Sequence, residues 1–586
     1  MMKKRMITVI ALVILTMSIV TLLSACNTDK TEAEASDAVD TTDTAASSDV
    51  SDKKIEKIYV VCPEKATDGI SRLVKNTSNS ITEKTGIDTE IVIDSINPYK
   101  AKEGCYYVVL GDTSYEQSQK LAQSAEDQKM YYAATEDSVA VYAKTEQLLF
   151  IAAEQLFANC INDGKFNVDE KYASLTVDAS GYVRDGWVLN FPAFKRGKLD
   201  MKVYDTGFGM EKGKDASRLQ VVGLINAAGF QEYSAQLEKA GYVKDFENEI
   251  EGNLYVNYIG SLGSNIYVCY NKSKLEIKII EDNVSTPLSE FNYTLEASEK
   301  TRLYAFKMNY KSEDCFLIHL ADNSWMVIDG GYTGEIAGSP YVKDLYDFMV
   351  SRSGLKAGEK LRISAWHLTH AHSDHLFGMY GLIHEYGENI IVERVIDNTP
   401  TNGFLEINYR AQYERLLQKI KEYNPEVKYL KVHTGMKINI ADTAMEVLFT
   451  HEDIICEYYG GSTNNLNRIS VISVLDIAGL TFLETADNMT YDNYKKYSLE
   501  KVTTDILKIA HHYYDKSLDD FYEKLYKTGK VSYCYNPRLD SHAGDANNYQ
   551  APTLALFGDR YLQGSENKIY EFYRSGSTVK TNVIYD

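Results

Sequence analysis

Four of the eleven histidines in this chain lie within one nine-residue stretch, from His367 to His375. Inside that stretch, His370, His372, Asp374 and His375 form the pattern H-x-H-x-D-H. Imidazole and carboxylate groups are the common ligands of zinc in proteins, and a site for two ions needs them at this density. The pattern therefore predicts a metal centre and places the chemistry of the chain in its C-terminal half.

Strand-like runs must bring the ligand-type residues together. The apolar run 361–366 precedes the histidine stretch, which therefore lies in the loop beyond that strand. Two histidines separated by one residue point the same way in an extended segment. Farther along, one apolar run leads to Asp487, and another leads to His511 and His512. A cluster of solvated loop histidines is the alternative, but it does not explain three strands that each end in ligand-type residues.

The order of these elements resembles the metallo-β-lactamase fold, including an early Asp-Gly turn at 329–331. Two further segments resemble the hydrolase domain of ComEC-like competence proteins. They are 464–471, which reads Asn-Asn-Leu-Asn-Arg-Ile-Ser-Val, and 505–512, which has the form D-x-L-K-x-x-H-H. The resemblance covers roughly residues 300–586. It implies an α/β fold of the αββα sandwich type and a metal-dependent hydrolase with two ions.

The resemblance also implies the ligands of these two divalent ions, with zinc as the expected metal and manganese as the alternative. One ion would take His370 and His372. The other would take Asp374 and His375, and Asp487 would bridge the two. A metal-bound hydroxide would be the nucleophile, because coordination lowers the pKa of water from about 15.7 toward 7.

Two assignments stay open at the level of the sequence. Either His511 or His512 completes the second site, and the other would lie near the substrate. Asp374 and His512 are the residues expected to take part in catalysis. The further histidine that the family places on the first ion is not evident; His433 and His451 are the candidates, and a structural role is the competing explanation for each.

Two features concern the rim of the expected site. Tyr513 and Tyr514 follow the paired histidines, where family members often carry Gly-Ser, and this predicts an altered substrate mouth. His542 lies in a polar loop that could reach the site.

The expected function is a phosphodiesterase or phosphoesterase that acts on a small-molecule or cell-envelope phosphoester. One alternative is an extracellular nuclease of the ComEC-like type, and another is a binding lipoprotein that holds metal without turnover. The formal net charge of −21 argues against nucleic acid as a partner, because a nucleic-acid binder normally presents a basic face.

The first residues predict export and a lipid anchor. Three basic residues precede an uncharged apolar run, 7–23, which is typical of a secretory signal peptide. The segment Leu23-Ser24-Ala25-Cys26 resembles a bacterial lipobox, in which the signal is cleaved before the cysteine and the cysteine is lipidated. We therefore expect residues 1–26 to be a signal peptide. Cys26 would anchor the protein at the extracytoplasmic face of the cell membrane.

Composition divides the rest of the chain. Residues 27–54 contain no aromatic residue and are rich in small, polar and acidic ones, which predicts a flexible tether. Residues 55–182 alternate strand and helix patterns and resemble the non-catalytic N-terminal domain of hexosaminidase-type glycoside hydrolases. Residues 183–298 predict an α+β module without evident chemistry, and residues 299–586 form the expected hydrolase domain.

Overall fold

The strands and helices below come from a computed structural model. It describes residues 55–95, 102–206, 216–282, 285–307, 314–331, 338–399, 407–454, 466–496, 499–513, 517–537, 556–564 and 568–584. The predicted signal peptide and tether, and with them Cys26, lie outside these residues. All of the described residues belong to one unit, Ile55–Asp586. Within them, no helix is long and apolar enough to span a bilayer.

The N-terminal part is a six-stranded mixed sheet with helices on both faces. Its elements are β1 (Lys57–Cys62), α1 (Asp68–Thr85), β2 (Asp88–Ile93), β3 (Cys105–Leu110), α2 (Glu116–Ser124), β4 (Lys129–Ala134), β5 (Ser138–Ala143), α3 (Glu146–Cys160), β6 (Ile161–Asn162), β7 (Lys165–Phe166) and β8 (Leu175–Asp178). The strand order is β2-β1-β3-β5-β4-β8. Helix α3 begins where the Thr145 hydroxyl accepts a hydrogen bond from the Leu148 amide at 3.3 Å.

The middle part is an antiparallel sheet that a short hairpin joins to the first. Its elements are β9 (Val183–Arg184), β10 (Trp187–Val188), β11 (Lys198–Thr206), β12 (Ala216–Gly223), α4 (Ala227–Lys239), β13 (Val243–Ile250), β14 (Asn253–Ile259), β15 (Asn265–Asn271) and β16 (Glu276–Glu281). The order of the six long strands is β11-β12-β16-β15-β14-β13. One face buries Phe230 and Tyr233 of α4, whereas Tyr255 and Tyr267 join the core of the C-terminal part.

The C-terminal part contains two large sheets. Its first half contains α5 (Leu288–Phe291), β17 (Tyr293–Thr294), β18 (Arg302–Ala305), β19 (Cys315–His319), β20 (Trp325–Asp329), α6 (Pro340–Ser353), β21 (Leu361–Leu368), α7 (Ser373–Tyr386), β22 (Ile390–Val392), β23 (Arg394–Asp397), α8 (Ile407–Tyr423) and β24 (Lys428–Lys431). Its second half contains β25 (Lys437–Ala441), β26 (Thr443–Phe449), β27 (Ile472–Ile477), β28 (Leu480–Glu484), α9 (Tyr491–Lys496), β29 (Ile506–Lys508), α10 (Asp519–Lys527), β30 (Tyr533–Asn536), β31 (Tyr561–Gln563), β32 (Ile569–Ser575) and β33 (Thr578–Ile584).

The two sheets form the inner layers of a four-layer sandwich. The first has the order β24-β23-β21-β20-β19-β18-β32-β33, with β22 beside β21, and the second has the order β17-β25-β26-β27-β28-β29-β30-β31. Phe316 and Met326 of the first sheet share a core with Phe482 of the second. Helices α6, α7 and α8 cover the outer face of the first sheet, and α9 and α10 cover that of the second. The ends of β20, β21, β28 and β29 place the functional residues.

Candidate metal centre

The histidine stretch begins at the end of β21 and continues into the first turn of α7. Two glycines allow α7 to approach the turn that follows β20. A Cβ on Gly378 would lie 1.6 Å from the Gly330 carbonyl oxygen, and a Cβ on Gly330 would lie 2.6 Å from the Met379 amide nitrogen. Neither position tolerates a side chain unless the backbone moves. This close approach brings His375 against Asp329.

His375 is held through one ring nitrogen, and its other ring nitrogen points into the centre. Its Nδ1 atom lies 2.7 Å from Oδ2 of Asp329, and the Thr369 amide donates to Oδ1 of the same carboxylate at 2.8 Å. Because a carboxylate accepts the Nδ1 proton, Nε2 is the atom of His375 that would offer a lone pair to a metal ion. That Nε2 atom is buried, has no hydrogen-bond partner among the described residues and lies 3.3 Å from Oδ2 of Asp487.

Asp487 lies beyond the end of β28 and follows Ala486, whose backbone is left-handed with φ of 48°. Its Oδ2 atom faces four imidazoles. The distance is 3.3 Å to Nε2 of His375. It is 3.9 Å to Nε2 of each of the other three, which are His370, His511 and His512. One oxygen atom therefore lies between histidines from the end of β21 and histidines from the end of β29.

Two groups of side chains within the described part of the chain have the spacing of metal ligands, and they share Asp487. The groups are His370, His372 and Asp487 on one side and Asp314, His375, Asp487 and His512 on the other, with the donor atoms of each group within 4.8 Å of one another. Five of these six residues are among those predicted from the sequence. Of the paired histidines, His512 and not His511 belongs to a group.

Asp314 is the residue that sequence reasoning missed. It stands directly before β19 and is fully buried. Its amide donates to the Asp374 carbonyl at 3.3 Å, and its carbonyl accepts from the Gly331 amide at 3.0 Å, so α7 and the turn after β20 both hold it. The only signal in the sequence is a carboxylate before an apolar strand, which carries no spacing relation to the histidine stretch.

The paired histidines belong to a left-handed turn after β29. The φ angles of His511, His512 and Tyr513 are 46°, 54° and 56°. Each such conformation costs a non-glycine residue on the order of 1 kcal/mol, a strain that is typical of functional sites. The turn gives the two imidazoles different partners. Nε2 of His512 lies 3.2 Å from Oδ2 of Asp374, whereas Nε2 of His511 lies 2.9 Å from the side-chain nitrogen of Asn467.

The two sides of the centre differ in exposure. The side chains of Asp314 and Asp487 are 0% and 1% exposed, whereas those of Asp374 and His511 are 27% and 24% exposed. The floor of the centre is therefore closed to water, and a substrate would approach from the side of Asp374 and His511.

Burial and neighbouring charges shift the pKa values of the central groups. Burial lowers the pKa of His370 well below its usual value, and the imidazoles of His375 and His372 lower it further. Burial would lower the pKa of His375 too, but the carboxylates of Asp487 and Asp329 outweigh it and raise that pKa well above the usual value. For Asp487, burial is outweighed by nearby positive charge, chiefly at His375, which keeps its pKa well below the usual value. The shared carboxylate is therefore ionised at neutral pH.

The pKa values of the other two carboxyl groups at the centre, Asp314 and Asp374, are shifted in opposite directions. Burial raises the pKa of Asp314, although Lys508 opposes the shift. For Asp374, burial is outweighed by His375 and by the contact with His512, which together lower its pKa to about 2. Asp374, at the open side, is therefore ionised at neutral pH and can accept a hydrogen bond from water.

His433 and His451, the candidates for a further ligand, belong to neither donor group. His433 is buried and stacks on Tyr267 of the middle sheet, with ring centroids 4.6 Å apart, and its Nδ1 atom lies 3.3 Å from Oε1 of Glu452. Nδ1 of His451 lies 3.9 Å from Oε2 of the same carboxylate. These contacts place His433 at the junction between the middle sheet and the C-terminal part. His542 lies outside the described residues.

The donor set fits divalent metal ions. It combines imidazole nitrogens with buried carboxylates, which are the ligands zinc takes in hydrolytic sites. Within the described part of the chain, Nε2 of His375 has no hydrogen-bond partner, and neither oxygen of Asp314 accepts a well-oriented hydrogen bond, although Nζ of Lys508 lies 2.7 Å from Oδ2. Buried polar atoms without partners are costly, and a cation among them would satisfy them.

Comparison with known families agrees with this geometry. Residues 310–451 match the family model of the metallo-beta-lactamase superfamily. The C-terminal region thus has the metallo-β-lactamase fold, and the sandwich predicted from the sequence is confirmed. Members of this superfamily bind divalent metal ions, often two, and are usually metal-dependent hydrolases, although some are not hydrolytic. No curated protein matched the chain.

Several solved structures are similar to part of the chain. Zn(2+)-bound PqqB from Methylobacterium extorquens shares 9% identity over 45% of this chain and 88% of its own, with a TM-score of 0.30. Igni18, a metallo hydrolase from Ignicoccus hospitalis, shares 12% over 49% of this chain and 100% of its own, with a TM-score of 0.26. CmlA, a diiron beta-hydroxylase from Streptomyces venezuelae, shares 16% over 36% of this chain and only 34% of its own, with a TM-score of 0.22. All three TM-scores are too low to inform function.

Proposed function

We propose that this protein is a hydrolase with two divalent metal ions, that zinc is the metal, and that its substrates are phosphoesters, with phosphodiesters first. The observation that carries the proposal is the position of Asp487. Its Oδ2 atom lies 3.3 Å from Nε2 of His375 and 3.9 Å from Nε2 of His370, and these two histidines belong to different donor groups. A carboxylate oxygen between two such groups is what a bridge between two ions requires.

The proposed ligands follow the two groups. His370 and His372 hold one ion, His375 and His512 hold the other, and Asp487 is shared. Asp314, which no sequence pattern indicated, is a further ligand of the second ion. When bound, the ions lower the pKa of water toward neutrality and stabilise negative charge that develops on the substrate.

Side chains at the open side position the reactants. Asp374 is ionised at neutral pH because its pKa is held at about 2, so its Oδ2 atom would accept a hydrogen bond from the attacking water and orient it. His511 is 24% exposed and lies at the same opening, where it contacts the substrate. The buried floor, with Asp314 fully covered, excludes bulk water and strengthens these electrostatic interactions.

The choice of phosphoesters rests on the sequence. Segments 464–471 and 505–512 resemble those of ComEC-like hydrolase domains. This resemblance, together with the related choline-phosphate esterases of bacterial surfaces, favours phosphate esters as the substrates. The net charge of −21 speaks against a long polyanion such as DNA as the natural substrate. A small or envelope-linked phosphodiester is the substrate class that agrees with both the sequence resemblance and the net charge.

We further propose that a lipid on Cys26 holds the protein at the extracytoplasmic face of the membrane. The support is the lipobox-like segment 23–26, which follows an apolar run. Replacement of Cys26 by Ser is expected to abolish the incorporation of a labelled fatty acid into the full-length protein in cells. Labelling of the Cys26→Ser protein equal to that of the parent would contradict the anchor.

Hydrolysis assays on the unit from Ile55 to Asp586 test the activity. We expect chelator-sensitive hydrolysis of bis-p-nitrophenyl phosphate and little cleavage of single-stranded DNA. The double variant His370→Ala with Asp487→Ala is expected to lose at least about 100-fold in kcat/KM, because both donor groups are damaged. His384→Ala, an exposed histidine on α7, is the matched control and is expected to keep full activity. Full activity of the double variant would show that the mechanism is wrong.

A further inference from the structure

Lys508 at the end of β29 is a fully buried cation beside the metal centre. Its Nζ atom lies 2.7 Å from Oδ2 of Asp314, 3.5 Å from Oδ1 of Asp487 and 3.7 Å from Oε1 of Glu484. It also donates a hydrogen bond to the carbonyl of Ala486. An ammonium group has three donors and no acceptor, so Lys508 does not compete for the metal.

A buried charge is expensive and is retained only where paired groups compensate for it. Three acidic side chains surround the ammonium group, and two of them, Asp314 and Asp487, are proposed metal ligands. The third, Glu484, belongs to neither donor group and is also fully buried. Lys508 is therefore built into the floor of the centre, and its position is fixed from several sides.

The contact with Lys508 gives the two carboxylate oxygens of Asp487 different partners. Oδ1 faces the ammonium group, and Oδ2 faces the imidazoles, including His370 at 3.9 Å and His375 at 3.3 Å. A carboxylate without such a tether is free to rotate and to bind a single ion through both oxygens. With Oδ1 held by Lys508, only Oδ2 is turned toward the histidines.

We propose that Lys508 is a positioning residue that fixes Asp487 so that a single oxygen, Oδ2, is shared by two metal ions. The proposal rests on the two-ion centre proposed above. Lys508 also orients Asp314 in the second group, where Oδ2 of Asp314 lies 3.5 Å from Nε2 of His375. Oε1 of Glu484, 3.7 Å from Nζ, is a further contact of the ammonium group.

The proposal predicts which ion depends on Lys508. His370 and His372 themselves form no ion pair with Lys508 among the described residues, and Asp487 is common to both groups. Asp314, which belongs to the second group alone, lies 2.7 Å from Nζ of Lys508. Removal of the ammonium should therefore leave one tight ion and weaken the other. Misoriented supporting contacts typically cost 10- to 100-fold in metal affinity, so the Kd of the weaker ion should rise at least about tenfold.

The test uses the unit from Ile55 to Asp586 with Mn²⁺ as the probe. Lys508→Met with Glu484→Gln removes the ammonium group and also removes the ionisable group of Glu484, which would otherwise stay buried without its neighbouring cation. Lys501→Met, an exposed lysine whose side chain is 69% accessible, is the matched control. Circular dichroism checks folding, titration gives the Kd of each ion, and electron paramagnetic resonance shows whether two ions are magnetically coupled through a shared ligand.

The expected result is a coupled pair of Mn²⁺ ions in the parent protein and in Lys501→Met. For Lys508→Met with Glu484→Gln, we expect one tight ion, an uncoupled spectrum and at least a tenfold higher Kd for the second ion. A coupled pair with parent affinities in that variant would overturn the role of Lys508. If the variant does not fold, Lys508→Gln, which keeps a donor toward the Ala486 carbonyl, carries the same expectation and the same contrary result.

The results that would contradict the proposed function differ from those that would contradict the role of Lys508. A parent protein that binds a coupled pair but hydrolyses no phosphodiester would contradict the activity and leave the role of Lys508 intact. A parent protein that binds fewer than two ions would overturn both proposals.

Discussion

The Nδ1 atom of His375 lies 2.7 Å from Oδ2 of Asp329, and both side chains are buried. Asp329 ends β20, and His375 lies in the first turn of α7, so this contact joins two elements at the centre. It selects the imidazole tautomer that leaves Nε2 as a lone-pair donor. The early Asp-Gly turn is therefore connected to the proposed ligands through one hydrogen bond.

Replacement of Asp329 by Asn should weaken metal binding without changing the size of the side chain. The Asn carbonyl could still accept from the Thr369 amide, but its NH₂ group would face Nδ1 of His375 and favour the tautomer with the proton on Nε2. We expect a 10- to 100-fold loss in zinc affinity by competition with a chelating dye. Asp397→Asn, another buried Asp-to-Asn change, is the control. Equal zinc affinity in both variants would contradict the orienting role of Asp329.

The hairpin turn between β27 and β28 contains Ala478 and Gly479, with φ of 49° and 89°. Ile477 pairs with Leu480, so these two residues form the whole turn. Positive φ at both positions is typical of a type I′ turn, which favours Asn-Gly. Ala478→Asn should therefore stabilise the fold by roughly 1 kcal/mol, seen as a higher urea midpoint. An unchanged or lower midpoint would contradict the turn assignment.

Asp397 should make stability depend on pH. Burial raises its pKa from 3.8 to about 6, although the Tyr413 and Tyr429 hydroxyls donate to it. Because the folded state holds this proton more tightly than the unfolded state, the stabilisation from the protonated form is complete below pH 3.8 and is lost as the pH rises to about 6. The loss is about 3 kcal/mol, from about two pKa units.

Asp397→Asn removes this titration. The free energy of unfolding of the parent minus that of Asp397→Asn should therefore fall as the pH rises from 3.8 to about 6 and stay constant above that range. Urea unfolding at several pH values measures the difference. A difference that does not change with pH would show that folding does not raise the pKa of Asp397.

Much of the centre could be predicted from the sequence because its residues follow strands with clear periodicity. The apolar runs before His370 and Asp487 form β21 and β28 as expected, and H-x-H-x-D-H is dense enough to stand out. The sandwich was implied by the resemblance of this order to the metallo-β-lactamase fold. The prediction was possible because each of these residues directly follows, in the sequence, the strand that positions it.

The remaining features depend on contacts between distant segments. Asp314 reaches the centre because α7 and the turn after β20 hold its backbone, and nothing in its own neighbourhood reveals this. The choice of His512 over His511 depends on a left-handed turn that three non-glycine residues adopt, against their intrinsic preference. Lys508 is part of the D-x-L-K-x-x-H-H segment, but its carboxylate partners appear only in the folded chain.

The central claim is that two metal ions share Asp487, and metal content per chain tests it most directly. The unit from Ile55 to Asp586 is loaded with zinc, dialysed and analysed by mass spectrometry of the metal. We expect about two zinc ions in the parent, about one in His370→Ala, about one in His512→Ala and fewer than one in Asp487→Ala. Two zinc ions in Asp487→Ala, or one in the parent, would contradict the shared carboxylate.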